Sequence, residues 1–88
     1  MVSEDDIAAF KALYQSKQDR RKGAKKAITA YAKKGFAIDD IVRCSAAAGE
    51  TNVGRIAMYL LNWRDRMSIR DLVSSVIKIL EESGCTPR

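Results

Sequence analysis

Pro87 is the only proline of the chain, and no segment sustains an alternation between apolar and polar residues. Large apolar residues instead recur at intervals of three and four, which is the period of an α-helix with one buried face. No Asn-Gly or Asp-Gly pair, a strong signal of a β-hairpin, interrupts this pattern. Because the period is helical and helix-breaking residues are rare, the sequence predicts an all-α fold.

Residues that favour helix ends divide this pattern into five segments. Ser3 with Asp6, and Ser68 with Asp71, have the spacing of a capping box, which marks the beginning of a helix. Glycines follow the second, third and fifth apolar stripes, where they favour helix termination. We expect helices from residue 3 to about 16, from 20 or 23 to 34, from 38 to 48, from 51 or 52 to about 63, and from 68 to 83.

The 88 residues, of which 47% are hydrophobic, are enough for one small domain. Short loops favour antiparallel neighbours, so we predict a compact bundle of four to five short antiparallel helices over residues 1–84. Residues 85–88 are expected to form a frayed tail. The fourth segment is the most apolar and includes Trp63, so with the fifth it should form the core, packed with the apolar stripes of the first two. Gly23 should weaken the second helix by up to about 1 kcal/mol relative to alanine.

The residue types for catalysis and metal binding are scarce. The chain contains no histidine, the commonest general base and metal ligand, and its two cysteines are too few for a four-ligand zinc site. Adjacent carboxylates at 4–6 and 39–40 lie where helices begin, so helix capping accounts for them. We therefore expect no enzymatic activity, no metal and no cofactor. Cys44 is interpreted as a small core residue, and an unpaired Cys85 favours a cytoplasmic, reducing compartment.

Positive charge is concentrated in one part of the chain. Residues 11–34 contain nine basic residues and one acidic residue, a net charge of +8, within a protein whose overall charge is +5. The rest of the chain is therefore slightly acidic. A concentrated positive field of this kind attracts polyanions such as nucleic acid or an acidic protein surface.

These cations surround the second predicted helix and its preceding turn. We predict that residues 17–34 contact the phosphates of DNA or RNA, and that the chain is a non-catalytic nucleic-acid-binding protein, a small regulatory or architectural factor. Tyr14 and Tyr31 lie on apolar stripes, so we interpret them as core residues rather than as base-stacking platforms. The predicted phosphate contacts are Lys17, Arg20, Arg21, Lys22, Lys25, Lys26, Lys33 and Lys34.

A second candidate surface lies on the fourth predicted helix. Arg55, Asn62 and Arg66 recur there at helical intervals, as the exposed face of a recognition helix would. The match to a helix-turn-helix motif is poor, because that motif wants an apolar side chain where this chain has Arg55. We interpret these polar residues as a second candidate nucleic-acid-binding face, and the helix-turn-helix remains an alternative.

The alternative function is a protein–protein interaction module, an adaptor or inhibitor that docks on a partner or self-associates as a homodimer. The stretches 60–63 and 67–72 resemble the last two helices of death-fold adaptors, which implies docking through helical faces. Opposite charges at two places could also pair between molecules: Asp39, Asp40 and Glu50 against Arg64, Arg66 and Arg70.

We expect no membrane association. The N-terminus is acidic, and the longest apolar run, residues 57–61, is much shorter than a membrane-spanning helix. The face of the second helix opposite its lysines is mostly alanine, whereas a helix that lies on lipid needs large apolar side chains there.

Overall fold

The computed structural model describes residues 2–88, and within them the chain forms five α-helices and no β-strand. The all-α prediction is therefore confirmed, and the helices begin and end close to the predicted positions. Principal dimensions of 29 × 26 × 26 Å confirm a compact bundle. The helices are α1 (Glu4–Gln15), α2 (Arg20–Lys33), α3 (Ile38–Ala47), α4 (Val53–Leu61) and α5 (Ile69–Glu82).

Side-chain caps explain why four of these helices begin where they do. Ser3 and Asp6 form the predicted capping box: the Ser3 hydroxyl accepts the Asp6 amide at 3.1 Å, and the Asp6 carboxylate accepts the Ser3 amide at 3.2 Å. Asp19, Asn52 and Ser68 each accept a bond from a backbone amide in the first turn of α2, α4 and α5. Each cap satisfies an amide that has no partner within its helix.

All five helices contribute to the core: α4 and α5 pack with α1 and α2 as predicted, and α3 contributes as well. Tyr31 of α2 is the largest fully buried side chain, and its ring meets Phe10 edge-on at 5.1 Å and Phe36 at 4.7 Å between centroids. The Tyr31 hydroxyl donates a 2.6 Å hydrogen bond to the Asp6 carbonyl. The short side chains of Ala24 and Ala27 allow α2 to lie close to its neighbours, which is why a helix of modest apolar content is so deeply buried.

α1 and α2 lie very close together at Gly23. A Cβ atom at this position would lie 1.9 Å from the Tyr14 carbonyl oxygen. The predicted penalty of Gly23 relative to alanine is therefore wrong for the folded protein, because only glycine fits there. Tyr14 at one end of α1 meets the start of α2, and Asp6 at the other end meets Tyr31, so the two helices are antiparallel.

Trp63 lies outside the core, contrary to prediction. α4 ends at Leu61, and the Trp63 amide bonds to the Leu60 carbonyl at 2.9 Å in the turn that follows. Its side chain is 40% exposed. Ile69, which the apolar stripe of the fifth segment included, is 42% exposed at the start of α5. The apolar stripes predicted for the fourth and fifth segments thus include residues outside the part of each helix that packs against its neighbours.

The tail 85–88, which was expected to fray, is hydrogen-bonded to the rest of the chain. The Arg88 amide donates to the Thr51 carbonyl at 2.7 Å, and the Arg88 carbonyl accepts from the Val53 amide at 2.8 Å. Cys85 is held by a 2.9 Å bond from its amide to the Leu80 carbonyl. These bonds bring Arg88 to the start of α4.

Candidate nucleic-acid interface

α2 separates small buried residues on one side from lysines on the other. Successive residues of a helix turn by about 100°, so positions 22, 25, 26, 29 and 33 fall within one sector, opposite the buried alanines. Their lysines are all exposed. We name Lys17, Lys22, Lys25, Lys26 and Lys33 the lysine face.

The lysine face is free of the protein's own carboxylates. Within residues 2–88 the ion pairs are Arg43–Asp40 and Arg55–Glu50, and neither involves this face. Asp19 is the only acidic residue in the segment, and its side chain accepts the Arg21 amide at 2.8 Å as the cap of α2. The positive charge is therefore presented to solvent rather than neutralised internally.

An open groove of about 440 Å³ runs along this face. Its walls are Lys17, Lys22, Lys25 and Lys26, with Thr29 and Ala30 completing the lining. Lysine side chains commonly lay their methylene stems along such a surface and keep the ammonium group in water. The surface of the groove is accordingly mostly apolar.

Three of the eight predicted contacts lie apart from this face. Arg20 lines a polar cavity on another side of α2, and the Lys34 ammonium lies 5.3 Å from the centre of the Tyr31 ring, a cation–π contact. Arg21 is exposed on the flank, where its carbonyl accepts the Tyr59 hydroxyl at 3.2 Å. The segment therefore does not present all eight cations as one surface, because a helix distributes consecutive side chains around its axis.

The second predicted surface is not a single helical face. α4 ends at Leu61, so Asn62 is its C-cap and Arg66 lies in the turn beyond it. The Arg55 guanidinium bonds to the Glu50 carboxylate at 3.0 Å and is half-buried. The prediction that these residues continue one exposed face is therefore wrong, since the helix is too short.

The predicted opposite charge patches are also altered by internal contacts. The Arg64 guanidinium donates to the Phe36 carbonyl within the fold. Glu50 is only 4% exposed, and it accepts the Asn52 amide at 3.1 Å besides its bond to Arg55. Both side chains are thus committed to the structure of the monomer.

A polar cavity of about 90 Å³ lies where the end of α1, the start of α2 and the start of α4 meet. Three arginines from distant positions face it, namely Arg20, Arg55 and Arg88, together with the buried Glu50. Burial, followed by the Glu50 carboxylate, raises the pKa of the Tyr14 hydroxyl, and the positive charges of the nearby guanidinium groups oppose that shift. The sequence analysis did not identify this cavity, because no local motif joins these residues.

One reactive side chain outside these surfaces, Cys44, lies in the core. Cys44 is fully buried, as predicted, and burial raises the pKa of its thiol to about 11. Within residues 2–88 no three His, Cys, Asp or Glu side chains come together as a metal site. None of the described helices has the length and apolar character to cross a bilayer.

Comparison with known protein families, with curated proteins and with solved structures finds no match to this chain.

Proposed function

We propose that this protein binds nucleic acid without catalysing a reaction, and that the lysine face contacts the phosphates. The observation that carries the proposal is the exposure of these five lysines, none of which pairs with a carboxylate among residues 2–88. An unpaired cluster of cations on a body that is otherwise slightly acidic is an electrostatic footprint for a polyanion.

The length of the face suits a phosphate backbone. Lys22 and Lys33 are eleven positions apart on α2, which corresponds to about 16 Å along the helix axis. Successive phosphates of one DNA strand rise by about 3.4 Å, so the face spans about five of them. Five contacts predict that log K falls with log salt with a slope near −4.5 for duplex DNA.

The proposal is tested by fluorescence anisotropy with labelled duplex and single-stranded oligonucleotides over a series of salt concentrations. The triple variant K22Q/K25Q/K26Q should weaken binding and reduce the magnitude of the duplex slope by about 2.7, since it removes three phosphate contacts. Circular dichroism should remain helical, because these side chains are exposed.

The matched control R43Q/R70Q/K78Q removes the same charge from exposed positions outside the lysine face. It should retain a slope close to that of the parent. If both triple variants lose affinity equally, overall charge rather than this surface governs binding. Absence of binding at low salt would contradict the proposal and would favour the alternative of a protein-interaction module.

A further inference from the structure

The polar cavity beside α2 carries more positive charge than its single carboxylate neutralises. Arg55 pairs with Glu50 at 3.0 Å, whereas Arg20 and Arg88 form no ion pair with a carboxylate of residues 2–88. The side chains of Arg20, Arg55, Arg88 and Glu50, all of them lining residues, sum to a net charge of +2. This charge is separate from the lysine face, which lies on another side of α2.

Tyr14 supplies an unused hydrogen-bond donor to the same cavity. Its side chain is 7% exposed and lines the cavity, yet within residues 2–88 its hydroxyl bonds to no protein group. The hydroxyls of the other two tyrosines, Tyr31 and Tyr59, are both bonded to backbone carbonyls. The Tyr14 hydroxyl is therefore free to donate a hydrogen bond to a ligand in the cavity.

Three backbone amides at the start of α4 already have hydrogen-bond partners. The Val53 amide bonds to the Arg88 carbonyl, and the Arg55 amide bonds to the Asn52 side chain. The Asn52 amide bonds to Glu50. A ligand would therefore meet the guanidinium groups and the Tyr14 hydroxyl.

The size and charge of the cavity select the class of ligand. A volume of about 90 Å³ admits a tetrahedral oxyanion. Guanidinium groups match the oxygens of a phosphate in planar, paired hydrogen bonds. A phosphate monoester carries a charge near −2 at neutral pH, which is opposite in sign to the net charge of the lining side chains. We propose that this cavity binds the phosphate group of a monoester, held by Arg20, Arg88 and the Tyr14 hydroxyl.

The first test is an NMR titration of the whole chain with inorganic phosphate at constant ionic strength. We expect saturable shifts that centre on residues 14, 20 and 50–55. Tyr14→Phe should lower the affinity about tenfold, because it removes one hydrogen bond to a charged acceptor. Its melting temperature should not fall, since the deleted hydroxyl has no partner in the protein.

Arg20→Gln provides a second variant, and Lys33→Gln is its control. Each removes one exposed positive charge from α2, but only Arg20 lines the cavity. Arg20→Gln should lower phosphate affinity at least tenfold, and Lys33→Gln should leave it within about twofold. Absence of saturable shifts at the cavity would overturn the proposal, as would unchanged affinity in both Tyr14→Phe and Arg20→Gln.

A further binding experiment tests whether the ligand of the cavity is the terminal phosphate of a nucleic-acid strand or a small free phosphate. Oligonucleotides of one sequence, with and without a 5′-phosphate, are compared on the parent chain and on Tyr14→Phe. A preference for the phosphorylated strand that disappears in Tyr14→Phe assigns the cavity to strand ends. Phosphate binding without that preference assigns it to small phosphates. The K22Q/K25Q/K26Q variant should still bind inorganic phosphate, so the proposed function and this inference can fail independently.

Discussion

Replacement of Gly23 by alanine should strongly destabilise the protein, although alanine is the better helix former. A Cβ atom at this position would lie 1.9 Å from the Tyr14 carbonyl oxygen, whereas an ordinary van der Waals contact begins at 3.4 Å. α1 and α2 would have to separate by about 1.5 Å. Because the obstructing atom belongs to the backbone, a change of side-chain rotamer cannot relieve the clash.

Two opposing contributions determine the size of the effect. Overpacking of a well-packed interface costs up to about 3 kcal/mol, and a clash with backbone belongs at the upper end of that range. The higher helix propensity of alanine offsets this loss of free energy of unfolding by about 1 kcal/mol. The free energy of unfolding should therefore fall by about 2 kcal/mol, which corresponds to a drop of about 8–16 °C in melting temperature for a domain of this size.

Urea and thermal unfolding followed by circular dichroism measure this change. Gly54→Ala is the matched control, because Gly54 is also helical and exposed, and only the Asn52 side chain lies near its added Cβ, at 3.7 Å. Gly54→Ala should be neutral or stabilise the protein by up to about 1 kcal/mol. A Gly23→Ala variant as stable as the parent would refute the close approach of α1 and α2.

Two further predictions concern buried ionisable groups. Arg55→Ala should lower the free energy of unfolding, measured by urea titration, by about 2 kcal/mol, because it leaves the buried Glu50 carboxylate without its guanidinium partner. Arg43→Ala breaks an exposed ion pair and should lower it by less than about 0.5 kcal/mol in the same titration. Burial raises the pKa of the Cys44 thiol from 9.0 to about 11, so its contribution to stability is present below pH 9 and is lost as the pH rises toward 11. Melting temperatures measured across this pH range should therefore fall more in the parent than in Cys44→Ala; an equal fall would contradict the assignment.

Local signals in the sequence were sufficient to predict the helices. The capping pairs at Ser3 and Ser68 lie where α1 and α5 begin, because a side chain that satisfies a free amide acts within one helical turn. The two-sided character of α2 was also predictable, since burial and exposure follow the helical period. The close approach at Gly23 was not, because it depends on the position of Tyr14 in a different helix.

Of the two candidate sites, the lysine face was predictable from the sequence and the polar cavity was not. Exposure of Lys22, Lys25 and Lys26 follows from their position on one amphipathic helix, so periodicity was enough to predict it. The cavity that Arg20 and Arg88 share arises from residues far apart in sequence, which the packing of α2 and the tail against α4 brings together. Charge clustering in a sequence reveals only those cations that lie near each other along the chain.

The backbone bonds of Arg88 to Thr51 and Val53 affect how the protein should be labelled or immobilised. A fluorophore or affinity tag attached to Arg88 would lie beside the cavity and obstruct it. The start of α1, where the Asp6 carbonyl accepts the Tyr31 hydroxyl, lies at the opposite end of that helix from Tyr14 and the cavity. Attachment on that side leaves the cavity open, so surface-based and fluorescence measurements of anion binding should use it.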